Sequence, residues 1–524
     1  MKHTPLRFEN LTLDQKIGMT LMGAGGSPGF QQFAYALEKI QKRELGTVWV
    51  INDQYDAPEH FRDHIRQIHE NADYPVLVIM DAEHGYGPFK IGRQIALGYV
   101  DDVDLTYRFA RAVGAKARED GYTGICSPIL DPGGPEILCP TRSFNLDKEG
   151  ILRHGRAYIQ GLHDAGVLSI VKHFPSLGSK VDSHLFENHC DLTKEEIVNT
   201  NIYPYLQLCK EGLIDGIMTG HSVAHGVDPD HPATFSQKVM DLIRNNGFDG
   251  FIITDDMSMM GICAKYGTER FSKCIATGAD ICLEWNTADA EKEIRRAVRA
   301  GEISMERLDD AAKRILRAQE KLAKLTPYRL TAEDQGVAEE VNRRSICTDT
   351  KENIPVSIPR DGKHLFILMT EQNTDFSAAK SATAMVEKEN WMDPAALIQH
   401  IKNRFPHSEV ITVKEFPDRV EMCNAVHDAL NYEDTVLVYF SNWQSYVGGE
   451  SFTPRIIALA ESLYQANRAK SLVYYGNPNL LSQLPAFDRI IAGCNNRANT
   501  KYCIDVLAGL IPAEGKLPYK IISR

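Results

Sequence analysis

Over its first 325 residues the chain alternates short apolar, β-rich runs with longer amphipathic segments. The runs fall at 18–22, 47–51, 76–80, 123–127, 167–171, 215–219, 251–254 and 279–283, and segments such as 102–120 and 192–212 between them carry helical periodicity. A run like Val167-Leu168-Ser169-Ile170-Val171 reads as a buried parallel strand. Eight such strands alternating with helices predict a (β/α)8 barrel, a fold that typically needs about 250 residues.

The polar residues give an internal test. Asp81 and Glu83 follow 76–80, Lys172 and His173 follow 167–171, and His221 follows 215–219. Asp255 and Asp256 follow 251–254, and Glu284 follows 279–283. In a barrel these positions share the C-terminal face, where active sites form. Scattered structural polar residues would not favour one strand end.

A helix at 303–325, with Ser304 as its N-cap, is predicted to close this unit. Residues 326–361 hold three prolines and no clear strand, and read as a connection. A second strand-helix alternation follows, with strands at 364–369, 409–413, 435–440, 471–475 and 489–492, the pattern of an open parallel sheet. The expected organisation is a barrel over 1–325, a connection over 326–361 and a second α/β domain over 362–524, since 524 residues exceed one ordinary core.

Composition narrows the class. Apolar content of 43% and charged content of 24% are those of a soluble globular protein. A net charge of −12, spread along the chain, argues against nucleic-acid or anionic-membrane surfaces. Met1-Lys2-His3-Thr4-Pro5 and the residues after it lack the apolar core of a secretory signal, and no run approaches the roughly 18 residues of a membrane span. Eleven cysteines without CxxC spacing read as thiols in a reducing cytoplasm, not as a disulfide framework or a catalytic nucleophile.

Two segments carry the chemistry. Residues 172–184 hold two His, two Lys and one Asp on a loop bent by Pro and Gly. Within it, Asp182 and His184 are two apart. A carboxylate beside an imidazole keeps one ring nitrogen protonated and leaves the other to exchange a proton with substrate. A metal pair is the competing reading, but no third His or Cys lies at ligand spacing, so no metal and no cofactor are expected. The second segment, Phe251-Ile252-Ile253-Thr254-Asp255-Asp256-Met257, puts a carboxylate directly after a buried strand. Such a group suits a nucleophile or a stabiliser of positive charge. Asp256 has an alternative role as a helix N-cap.

On these residues the chain resembles family three glycoside hydrolases, in the β-N-acetylhexosaminidase branch. Members carry Lys-His-Phe-Pro-Gly-His-Gly and then Asp-Ser-His. This chain has Lys172-His173-Phe174-Pro175 and Asp182-Ser183-His184. It also has Ser127-Pro128-Ile129-Leu130-Asp131, Arg142-Ser143-Phe144, Met218-Thr219, Pro232-Ala233-Thr234-Phe235-Ser236 and Thr254-Asp255-Asp256-Met257. Gly476-Asn477-Pro478 and the ending Gly515-Lys516-Leu517-Pro518 are similar to the three-layer αβα sandwich domain that follows the barrel in many members.

The resemblance implies the roles. Asp255 would be the nucleophile, His184 the general acid and then base, and Asp182 its orienting partner. Asp81, Arg142, Lys172 and His173 would bind sugar hydroxyls. Structural alternatives stand beside these: Arg142 or Lys172 paired with a carboxylate such as Asp131, Asp81 capping a helix, His173 satisfied in the core. Asn442, Trp443 and Tyr446 are site candidates by position, and Trp285 either stacks on a sugar or packs at the rim. Met257, Met259 and Met260 are expected in the core, with lining of the sugar pocket as the alternative for Met257.

The chain departs from the pattern at Ser176-Leu177-Gly178, where members have Gly-His-Gly, and at Asp81-Ala82-Glu83-His84-Gly85-Tyr86-Gly87, where they have Asp-Gln-Glu-Gly-Gly-Arg-Val. The implied activity is a cytoplasmic, retaining exo-β-N-acetylhexosaminidase releasing terminal N-acetylglucosamine from peptidoglycan or chitin fragments. The rival readings are a glycoside phosphorylase or β-glucosidase on the same frame, and a catalytically silent sugar-binding protein.

Overall fold

The computed structural model describes residues 4–24, 32–50, 58–370, 392–441, 445–446 and 448–517. The chain divides into two compact units. The first comprises Met1–Phe89, Val103–Gly133 and Leu146–Val337; the second comprises Lys90–Asp102, Gly134–Asn145 and Ala338–Arg524. Two short stretches of the first 325 residues therefore cluster with the later part of the chain.

The first unit is built on a parallel sheet in chain order: β1 (Met22–Ala24), β2 (Thr47–Trp49), β3 (Leu77–Met80), β4 (Gly124–Ile125), β5 (Leu168–Phe174), β6 (Gly216–Thr219) and β7 (Phe251–Thr254). The eighth position is a pair of bridges. Ile281 pairs with Ile253 of β7, and Cys282 pairs with Leu21 beside β1, so residues 281–282 join the two edges of the sheet. A barrel abolishes the open strand edge in this way. Ile79, Ile125, Ile170, Val171, Ile217, Ile252 and Ile253 along the strands are fully buried.

Carboxylates lock the N-terminal strand ends. Asp280 accepts hydrogen bonds from the Ile252 backbone N–H (2.8 Å) and from Arg244 (2.6 Å), and pairs with Arg307. Asp215 accepts from the Ser169 N–H (2.8 Å) and His163 (2.7 Å), and pairs with Lys321. Both carboxylates spend their oxygens on backbone and cations, which is how a buried charge is tolerated.

Three predicted elements of this unit differ. Residues 18–22 are not a strand: Thr12 and Gln15 form a capping box that starts a helix at Leu13–Met19, and β1 begins only at Met22. The segment 192–212 is broken. A strand at His189–Thr193 pairs with Val223–Gly226, and a new helix, Tyr203–Lys210, starts with Pro204 in its first turn. The run 279–283 is reduced to its two bridges. The closing helix matches: it spans Met305–Lys324, and Ser304 accepts from the Arg307 N–H at 3.1 Å.

The second unit holds one six-stranded sheet. Its order is β8 (Cys347–Thr350), β13 (Arg489–Gly493), β12 (Ala469–Tyr475), β11 (Thr435–Phe440), β9 (Leu365–Thr370) and β10 (Glu409–Lys414). All neighbours are parallel except β8, which runs antiparallel to β13. Among the described residues, helix Pro394–Arg404 packs on Arg497–Leu507 and Arg419–Ala429 packs on Pro454–Gln465, in keeping with a three-layer sandwich. Strand β8 falls inside the stretch read as connection. Cys347-Thr348-Asp349-Thr350 has no apolar run to betray it, and its ladder to Ala492 through Arg489 makes it a strand.

Candidate active site

Asp255 follows β7 directly. Its backbone N–H donates to the Thr219 carbonyl at the end of β6 (2.9 Å), and its Oδ1 accepts from the Asp256 N–H (2.8 Å). Burial alone would raise the Asp255 carboxyl. Three imidazoles, His173, His221 and His184, and the Asp256 N–H outweigh it and hold the group down to about 2. Asp255 is therefore a carboxylate across the physiological range.

Asp182 and His184 sit on a helical turn in which the Leu185 and Phe186 N–H groups donate to the Asp182 carbonyl. The Asp182 side chain is buried (1% exposed), and its Oδ1 accepts from His184 Nδ1 at 2.7 Å and from the His184 backbone N–H at 3.1 Å. An acceptor at Nδ1 fixes the tautomer and leaves Nε2 for proton exchange. The Met260 N–H donates to the His184 carbonyl (2.8 Å), tying this turn to the segment that follows Asp255. Asn188 fastens the same loop from the other side, donating to the Gly178 carbonyl (3.2 Å) and Ser222 Oγ (2.8 Å).

Lys172 and His173 are the last but two and last but one residues of β5, not residues beyond it. The Lys172 ammonium is 1% exposed and pairs with Asp81 and, at 3.0 Å, with Glu83, both beyond the end of β3. His173 Nδ1 donates to Asp131 Oδ2 (2.7 Å), and its backbone N–H to Asp131 Oδ1 (3.0 Å). His173, its donors and the Ser176 hydroxyl outweigh burial and hold the Asp131 carboxyl below the usual range. The buried Cys126 thiol feels Asp81, Lys172, Asp255 and Glu83 together, and burial pushes it well up.

Six of the seven predicted site residues thus stand in the barrel unit, as two Asp-His dyads and a Lys-carboxylate cluster around Asp255. Arg142 belongs to the second unit, on the short turn Pro140–Arg142, where it neighbours the half-buried thiol of Cys139. Asn442 and Trp443 lie outside the described residues; Tyr446 is described, 41% exposed.

Asp256 is no N-cap. Its Oδ1 accepts from the Ser258 N–H and Oγ, and its Oδ2 from Trp285 Nε1 at 2.9 Å, while Met259 holds the N-cap position of the helix Met260–Tyr266 with no side-chain capping bond. Trp285 meets Trp49 edge to face. Met257 and Met259 are buried, whereas Met260 is 54% exposed. The sequence puts Glu83 and His221 at the strand ends of the active face without a role, and offers Asp131 only as a partner for Arg142 or Lys172. His221 Nε2 faces the Asp256 carbonyl at 3.1 Å, and burial lowers its proton affinity.

A parallel barrel whose C-terminal face gathers a low-lying carboxylate, two Asp-His dyads and a buried lysine is the frame of a barrel enzyme. Residues 12–318, more than half of the chain, match the glycosyl hydrolase family 3 N terminal domain, and the chain belongs to that family and is a glycoside hydrolase. It is 29% identical over 261 residues to a beta-hexosaminidase of Tolumonas auensis, covering 48% of this chain and 78% of the relative. It is 32% identical over 222 residues to the beta-hexosaminidase LpqI of Mycobacterium tuberculosis; that match takes in 39% of this chain and only 56% of the relative's length. In fold it is similar to a family 3 beta-N-acetylglucosaminidase from Paenibacillus sp. (TM-score 0.82, 24% identity, 97% of this chain and 98% of that one). It is also similar to a beta-glucoside phosphorylase, BglX (TM-score 0.76, 20% identity, 98% and 94%). Among the described residues no helix is long and apolar enough to cross a membrane.

Proposed function

We propose that the protein is a retaining exo-β-N-acetylhexosaminidase that releases terminal N-acetylglucosamine from peptidoglycan or chitin fragments. The observation that carries this is the Asp182-His184 dyad, its aspartate buried, tied by its backbone to the segment that follows the ionised Asp255. The beta-hexosaminidase names of the relatives point the same way.

In the first step Asp255 Oδ attacks the anomeric carbon. The bond to the leaving oxygen breaks, and that oxygen takes the proton from His184 Nε2. The product is a glycosyl ester on Asp255. In the second step water attacks the same carbon and gives its proton to His184 Nε2, and the Asp255 carboxylate is released. Asp182 steadies the imidazolium that forms in this second step. Lys172, His173 and Asp81 hold hydroxyls of the terminal sugar through charged hydrogen bonds. We infer a cytoplasmic setting, supported by the eleven free thiols.

A second reading follows from the imidazole itself. Once His184 has given up its proton it is neutral and does not repel an anionic acceptor, so phosphate can replace water. Product analysis with aryl glucosaminides and glucosides, with and without phosphate, tests both readings. Free N-acetylglucosamine in either buffer supports hydrolysis. Sugar 1-phosphate without free sugar replaces it with phosphorolysis, and no turnover of any glycoside refutes both.

A further inference from the structure

Ser176 occupies the place where the family motif has its first glycine, and its backbone is left-handed, with φ of +59°. That conformation disfavours any residue with a Cβ. The side chain is 1% exposed, and its surroundings are polar. The Ser176 hydroxyl lies 2.9 Å from Asp131 Oδ1 and 2.9 Å from the Tyr205 hydroxyl. The Ser176 N–H donates to the His173 carbonyl (2.7 Å), and Asn201 Nδ2 donates to the Ser176 carbonyl.

Proton counting orders these contacts. A serine hydroxyl has one proton, and the carboxylate is the stronger acceptor, so Ser176 donates to Asp131. Its oxygen then accepts from Tyr205, whose phenol burial keeps protonated. Asp131 Oδ1 thus receives Ser176 O–H and the His173 N–H, which turns its Oδ2 onto His173 Nδ1.

We propose that Ser176 is a positioning residue: with Tyr205 behind it, it fixes the Asp131 carboxylate, and through it the ring orientation and Nδ1–H tautomer of His173. The inference rests on the proposed sugar-binding role of His173. It adds a link, Tyr205 to Ser176 to Asp131, that a glycine at this position cannot make.

The test compares wild type with Ser176→Gly, Tyr205→Phe and the double variant. Glycine suits the local φ, so Ser176→Gly removes the hydroxyl without straining the chain. Two readouts are used: ¹⁵N-histidine NMR of His173, and kcat/KM over aryl glycosides of differing leaving group. In Ser176→Gly the His173 ring nitrogens should lose their single-tautomer shifts. Its kcat/KM should fall about tenfold by the same factor for every leaving group, since proton donation to the leaving oxygen is untouched. Tyr205→Phe should cost roughly two- to threefold, and the double variant no more than Ser176→Gly alone, because the two act in series. Unchanged His173 shifts overturn the proposal, whether activity is kept within twofold or lost only through a lower melting temperature. The NMR arm does not depend on turnover, so a protein that cleaves no glycoside refutes the functional reading and still decides this one.

Discussion

Asp182→Asn probes the proposed acid and base with little change of shape. Asp182 Oδ1 accepts two hydrogen bonds from His184, at 2.7 and 3.1 Å, and the asparagine carbonyl can take both. What is lost is the charge in a site where the aspartate is 1% exposed. Hydrogen bonds to charged groups contribute about 1.5–3 kcal/mol and neutral ones about 1, so the change costs roughly 1–2 kcal/mol, or about 5- to 30-fold. That loss should depend on the leaving group. With a dinitrophenyl glycoside, which departs without help, kcat/KM should hold within about threefold; with an alkyl or methoxyphenyl glycoside it should fall by the full factor. Water still needs the base in the second step, so the activated substrate should show a burst followed by slow turnover. Azide, which needs no base, should restore its kcat. Equal loss of kcat/KM across the leaving groups, or no loss at all, refutes the assignment of the dyad to proton transfer.

Two further perturbations address the scaffold. Asp280→Ala removes the buried carboxylate that the half-buried Arg244 and Arg307 share and should destabilise the barrel unit by about 3–5 kcal/mol, read as a lower urea midpoint, with kcat/KM unchanged well below the transition. In the second unit, burial pushes Glu450 up to about 7, against the pull of Asn477 and Arg93. Between its ordinary value and about 7 the native state keeps a proton that the unfolded chain has lost, so stability falls as pH rises through that window. The fall is at most about 3 kcal/mol, less for a side chain that solvent partly reaches. Glu450→Gln should therefore be more stable than wild type at pH 8 and lose its advantage at pH 4; an advantage that grows on acidification refutes the burial argument.

The strands most legible in the sequence were the uniformly apolar ones. Phe251–Thr254 and Thr435–Phe440 are fully buried, and they stand where their apolar runs predict. The run 18–22 is no strand because the helix Leu13–Met19, set by a capping box and not by hydrophobic spacing, extends into it. Strand β8 was missed because Thr348, Asp349 and Thr350 are held by an antiparallel ladder to residues about 140 positions away, which no local pattern announces. The dyad Asp182-His184 was legible because both partners sit two residues apart. Asp131-His173 was not, since its members are 42 positions apart and meet only where β5 runs beside the segment after β4. Likewise Arg142 was read as part of the barrel, and its turn clusters with the second unit through contacts that sequence order hides.

The central claim is that Asp255, the one of these carboxylates pulled down by three imidazoles, forms the bond to the sugar. Trapping the enzyme with a 5-fluoro N-acetylglucosaminyl fluoride, followed by peptide mass spectrometry, tests it directly. One sugar per chain should appear on the peptide containing Asp255, and none in Asp255→Ala. A sugar found on Asp81, Asp131 or Asp256 instead, or full turnover by Asp255→Ala, contradicts it.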